Sequence, residues 1–188
     1  MDLKNHKLIL ASGSPRRQQF FKDLGLEFEI RLKEIEETYP EHLKAHEITD
    51  FLAKLKADAF ELAENEILVT SDTIVWLEDK ALGKPLNYDE AFVTLKKLSG
   101  KTHQVITSVC LKSIQKTKVF HEITLVTFTE LSDEMIRYYL DNYKPFDKAG
   151  AYGIQEWIGL VGIEKIEGSY TNVVGLPTQK FYNELLCF

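Results

Sequence analysis

The chain concentrates its chemistry around one carboxylate and a few cations. The apolar run EILVTSDTIVWL (66–77) carries Asp72. In α/β proteins, functional groups gather at strand ends, and a carboxylate there acts as a metal ligand or general base. By itself it is equally consistent with a carboxylate that closes a turn by a hydrogen bond. Lys84, in LGKP, follows across a turn at Glu78-Asp79-Lys80 that returns a compact cation toward Asp72, and such a charge suits a phosphate oxygen. Upstream, LILASGSPRRQQFFKDLG (8–25) sets Arg16 and Arg17 at the start of a predicted helix. Positive charge is unfavourable there unless an anion is present. Backbone N–H groups after a Ser/Gly turn, with an Arg as bidentate donor, make a site for phosphate. Read alone, the segment is as consistent with a surface helix bearing two solvated arginines.

Other side chains add to this set. Glu36 and Glu37 occupy a loop after the second apolar run. Loop carboxylates are usually solvated, but with Asp72 either one completes an oxygen-rich site for Mg²⁺ or Mn²⁺. DKAGAYGIQ (147–155) pairs small residues, which admit a ligand close to backbone, with the amide of Gln155, which can read a base edge. EGSYTNVVGLP (167–177) has the same character. Both are equally readable as conformationally demanding loops. Nothing matches a P-loop. The histidines show no zinc-type clustering; His42 and His46 are four apart, but Pro40 and a polar context disfavour a helical metal pair.

These groups need elements to position them. Residues 7–11 read as a buried strand, followed by a helix with Ser14 as N-cap, Pro15 first and Gly25 as the stop. A strand is expected over 28–35 and a helix over 48–63, with Phe51, Leu52, Leu55, Ala59 and Leu62 on its apolar face. A strand through Asp72 turns at 78–80, and Asn87 caps a helix that Gly100 ends. Residues 103–113 and 118–129 form a hairpin, Ser132 opens a helix to about Tyr143, and a last helix starts at Pro177. The pattern implies an α/β or α+β fold with a mixed sheet.

At 188 residues with 44% hydrophobic content, the chain fits one domain or two small lobes. A net charge of −6 argues against a nucleic-acid binder without excluding a small anion in a local pocket. Cys110 and Cys187 are too far apart in sequence to imply a disulfide framework and read as incidental thiols. The opening apolar run is too short for a signal peptide and no stretch reaches membrane-spanning length, so a cytoplasmic protein is expected.

Taken in order, LILASGSPRR, SDT, LGKP with LSGKTHQVITSV, DKAGAYGIQ and EGSYTNVVGLP resemble the motifs of the Maf family of nucleoside triphosphate pyrophosphatases, over residues 8–177. YGIQ is similar to the branch associated with dTTP and UTP. The resemblance implies an elongated α/β fold, with a mixed sheet flanked by helices and a central cleft, as in inosine triphosphatase-like proteins. It implies one domain over 1–188, with two lobes about that cleft, and a homodimer. The implied reaction converts a nucleoside triphosphate to the monophosphate and pyrophosphate with a divalent cation, Mg²⁺ or Mn²⁺. Asp72 falls on the general base, Glu37 (or its neighbour Glu36) on the second catalytic and metal carboxylate, and Lys84 on a catalytic cation. Ser14, Arg16, Arg17, Lys56 and Gln155 fall on substrate-binding positions. Gly13 or Arg16, Thr73 and Gln155 fall on positions linked to substrate choice. Ser71 replaces the family's usual alanine before the Asp, with room for a hydrogen bond near the base. No nucleic-acid or membrane partner is implied. A different class of function, a nucleotide-sensing regulator of cell division with little turnover, has less need of a positioned base and metal carboxylates.

Overall fold

Seven strands and seven α-helices order the residues of the computed structural model, which describes 6–188. The strands are β1 (Lys7–Leu10), β2 (Phe28–Ile30), β3 (Glu66–Leu77), β4 (Lys80–Leu82), β5 (Thr102–Lys112), β6 (Thr117–Phe128) and β7 (Ile163–Glu167). The helices are α1 (Pro15–Asp23), α2 (His46–Asp58), α3 (Tyr88–Leu98), α4 (Asp133–Tyr143), α5 (Trp157–Val161), α6 (Tyr170–Val174) and α7 (Thr178–Leu186). One mixed sheet runs in the order β2-β1-β3-β5-β6-β7, with β4 paired to β3. β1 is parallel to both β2 and β3; β3–β4 and β6–β7 are antiparallel. No helix among the described residues is long and apolar enough to cross a membrane.

The chain divides into two units. The first comprises residues up to Asp72, Thr107–Glu122 and Gly175–Phe188. β1 and the paired start of β3 are buried on both faces, as β-α-β connections require, while β2 at the sheet edge is partly exposed. Leu8, Leu10, Ile67 and Val69 point to one side, with Phe21 of α1 and Phe181 and Leu185 of α7. Ile9 and Leu68 point to the other, against Ala53 and Ala57 of α2. These two alanines, one turn apart, let α2 lie close to the sheet, and Thr70 Oγ1 donates to the Ala53 carbonyl at 2.6 Å. The second unit, Thr73–Ile106 and Ile123–Val174, packs α3 and α4 through Leu95, Leu98, Ile136 and Tyr139 onto Val75, Leu77, Val105, Val126 and Phe128.

Local chemistry accounts for the helix ends. Gly25 takes φ +66°, and the bonds Gly25 N–H to Lys22 O and Leu26 N–H to Phe21 O close α1 as a Schellman motif. Asn87 and Ser132 accept from Glu90 N–H and Met135 N–H, capping α3 and α4. Ser14 does sit before Pro15, but its hydroxyl makes no capping bond.

Several elements differ from expectation. β2 stops at Ile30 because its ladder with β1 ends where β1 ends, at Leu10. Arg31 then turns into a two-pronged ion pair with Glu66, at 3.0 and 2.7 Å. α2 starts two residues earlier and ends at Asp58, and Phe51 is exposed while Ile48, Thr49, Leu52, Ala53 and Ala57 form the buried face. The glycine-spaced stretch after residue 146 contains α5, β7 and α6, each of five residues and too short for periodicity to reveal. Cys110 is buried, which pushes its thiol up to about 11, and Cys187 is exposed.

Candidate active site

Strand and helix periodicities together make the central pair. Along β3, Leu68, Thr70 and Asp72 share a face, alternate residues of a strand pointing the same way. That face meets α2, where Ala53 and Lys56 are three apart and so neighbours on one helical side. Asp72 Oδ1 accepts from Lys56 Nζ at 2.7 Å, and Glu37 Oε1 lies 3.0 Å from the same ammonium. The Asp72 and Lys56 side chains are only 9% and 15% exposed, against 46% for Glu37. Two carboxylates thus converge on one cation in a mostly desolvated place. The ion pair with Lys56 is made by Glu37 of the adjacent loop pair.

The start of α1 adds donors. Arg17 Nε donates to the Gly175 carbonyl at 2.8 Å, and its Nη1 to the Ser71 carbonyl at 3.1 Å. It therefore ties together three segments singled out in the sequence: SGSPRR, SDT and NVVGLP. Gly175 takes φ +124°, which a side chain would resist. Burial lowers the Arg17 guanidinium from its ordinary value, Arg16 lowers it further, and Asp72 and Glu37 raise it. These charges share one electrostatic neighbourhood. Arg16 and Ser14 are half-buried and Gly13 is exposed. The Ser14 N–H donates to Ser12 Oγ at 3.3 Å, and the Gln18 side chain to the Ser12 carbonyl at 3.2 Å, fixing the SGS turn. A Cβ on Gly13 would meet nothing nearer than Leu32 Cδ1 at 3.9 Å. The fold itself does not demand glycine there.

Ser71 disagrees with expectation. Its hydroxyl is buried with no hydrogen-bond partner, so it adds no bond beside Asp72; strand alternation turns the two side chains to opposite faces.

Lys84, Thr73 and Gln155 belong to the second unit. Lys84 and Gln155 are exposed and Thr73 is half-buried. The Gly83 carbonyl accepts from Gly150 N–H at 3.2 Å, which brings LGKP beside DKAGAYGIQ. Gly150 takes φ +70°, and a Cβ on it would stand 2.7 Å from Val75 Cγ2. Gln155 is held on a braced loop. Tyr139 Oη donates to Glu156 and accepts from Gly153 N–H at 2.9 Å, while Lys148 pairs with Glu156 at 3.1 Å.

A divalent cation can be tested against these residues. Two carboxylates sharing one ammonium are a donor set suited to a hard cation, with Lys56 Nζ standing in for that charge. The donor chemistry fits Mg²⁺ or Mn²⁺. A second grouping escaped the sequence. His46, Asp50 and His121 place one ligand atom each within 4.8 Å of one another. The histidine spacing gives no sign of this group because His121 arrives from β6, far along the chain, while His42 lies before α2 and is not a member. The i, i+4 spacing of His46 and Asp50 was the available signal.

Comparison with known proteins gives a consistent result. A dTTP/UTP pyrophosphatase of Flavobacterium psychrophilum is 68% identical over 185 residues, covering 97% of this chain and 95% of that protein. Another of the same name from Phocaeicola vulgatus is 54% identical over 187 residues, covering 98% and 97%. The solved structure of a HAM1 protein from Coxiella burnetii has a TM-score of 0.55 at 13% identity, covering 97% of this chain and all of that one, a likeness of fold alone. The family described as Maf-like protein matches residues 7–188, and with the motifs and site geometry above, the chain belongs to the Maf family.

Proposed function

We propose that this protein hydrolyses dTTP and UTP to the monophosphate and pyrophosphate. The observation that carries the reading is the convergence of the buried Asp72 and the exposed Glu37 on Lys56, in the same unit as the arginine-bearing start of α1. The names of the 54–68% identical relatives support the same substrates.

Arg16, the N–H groups at the start of α1 and the Ser14 hydroxyl bind phosphate oxygens. Arg17 contributes its charge while Nε and Nη1 stay on carbonyls of the chain. Lys56 is drawn from its carboxylate partners toward the triphosphate, and Lys84 takes a further phosphate oxygen. Asp72 accepts a proton from the water that attacks the α-phosphorus; the α–β P–O bond breaks and pyrophosphate leaves. Asp72 and Glu37 would hold a Mg²⁺ or Mn²⁺ ion, which when bound neutralises phosphate charge and makes water more acidic. Gln155 pairs with the pyrimidine edge and Thr73 contacts the nucleoside.

The test is pyrophosphate release over a nucleotide panel with and without Mg²⁺ or Mn²⁺. Turnover of dTTP and UTP well above ATP and GTP is expected, with D72N losing about 10³-fold or more in kcat while still binding nucleotide. Stoichiometric binding without product would overturn the enzyme reading and favour a nucleotide-sensing role.

A further inference from the structure

We propose that His46, Asp50 and His121 form a binding site for a zinc-class divalent transition metal, separate from the carboxylates of the proposed active site. The three ligands come from two elements. His46 and Asp50 are one turn apart on α2 and present the same side, and β6 delivers His121 opposite them. His121 Nδ1 lies 3.2 Å from Asp50 Oδ2, and the two imidazole rings face each other with centroids 4.3 Å apart. Around a tetrahedral ion with bonds of about 2.0–2.1 Å, neighbouring ligand atoms stand about 3.3 Å apart. The His121–Asp50 edge already has that length. Pivoting the half-exposed His46 ring brings in the third ligand.

Asp50 is prepared for this role. The Ser108 hydroxyl lies 2.6 Å from Asp50 Oδ1 and 2.6 Å from Thr49 Oγ1. A carboxylate only accepts, so Ser108 gives its proton to Oδ1 and leaves Oδ2 turned to the histidines. Such second-layer bonds orient metal ligands. The nearby cation does not compete for the ligand atoms: Lys180 Nζ donates to the His121 carbonyl at 2.6 Å and lies 3.6 Å from Glu122. Two neutral imidazoles and one carboxylate favour Zn²⁺, Co²⁺, Ni²⁺ or Cu²⁺ over Mg²⁺, which prefers oxygen and its own waters. Three protein ligands leave a fourth position to water. Bound there, the metal would pin the first turn of α2 to β6. Lys56 lies ten residues along the same helix, about 15 Å away, too far to share an ion.

Titration of the whole protein with Zn²⁺ by calorimetry, and with Co²⁺ by visible absorption, tests the site. One equivalent is expected, with Co²⁺ developing d–d bands and Zn²⁺ raising Tm by about 5 °C at a hundredfold excess over Kd. H46N, H121N and D50N should each weaken binding about 10-fold or more, and S108A less. H42N, C187S and D72N should bind as the wild type does. Absence of sub-millimolar binding overturns the proposal, as does binding that survives the H46N/H121N double variant or is lost in H42N, C187S or D72N.

Discussion

At the residue scale, the surroundings of single side chains separate positions the fold needs from positions open to a ligand. Gly150 and Gly175 adopt positive φ, and Gly150 has Val75 against it, so the backbone requires them. Gly13 is different: it is exposed and a Cβ fits. Gly13→Ala is expected to leave stability within about 0.5 kcal/mol of wild type, by denaturant unfolding, while raising KM for dTTP several-fold as the methyl meets the nucleotide. Gln155 stands on a loop clamped by Tyr139, Lys148 and Glu156, a rigid mount for an exposed amide. Gln155→Ala should lower the UTP-over-GTP ratio of kcat/KM about 10-fold or more; an unchanged ratio removes Gln155 from base reading.

At the scale of elements, helix starts divide by function. The caps of α3 and α4 satisfy backbone donors with Asn87 and Ser132. Ser14 occupies the corresponding position of α1 without bonding to it. Ser132→Ala is therefore expected to cost about 1 kcal/mol in unfolding free energy, and Ser14→Ala a few tenths at most while weakening nucleotide binding. Equal destabilisation by the two would show Ser14 to be an ordinary cap. The parallel β1–β3 pair, with α2 over one face, makes the proposed active site an element-level property. Asp72 and Lys56 meet because a period of two and a period of 3.6 come into register where α2 crosses β3.

At the scale of the molecule, His103 and Glu66 contribute to the acid response in separate pH windows. In the second unit, burial lowers His103 from 6.5 to about 4, with its Nε2 2.7 Å from Tyr152 Oη. Below pH 6.5 the unfolded chain gains a proton that the folded state refuses, so stability falls as pH drops toward 4. About 2 kcal/mol should be lost between pH 7 and 5 from this group, and His103→Gln should flatten that segment of the urea-midpoint profile. In the first unit, the Arg31 guanidinium holds Glu66 down at about 2 from 4.5. Its contribution is present above 4.5 and is lost only as pH falls toward 2, a separate window.

Much of this protein is legible along its chain. Pro15 and Gly25 bound α1, Asn87 and Gly100 bound α3, and alternation marks β5 and β6, because these signals act within a few residues. Arg16 and Lys84 stand out for the same reason, their neighbours in sequence marking a helix start and a turn; Asp72, expected at a strand end, lies instead inside the twelve-residue β3. Tertiary structure alone decided the rest. It paired Glu37 with Lys56, gave Arg17 to the carbonyls of Ser71 and Gly175, and joined His121 to His46 and Asp50. Each of these depends on which faces of distant elements pack together, and that is set by burial of apolar surface over the whole unit, which no local spacing encodes.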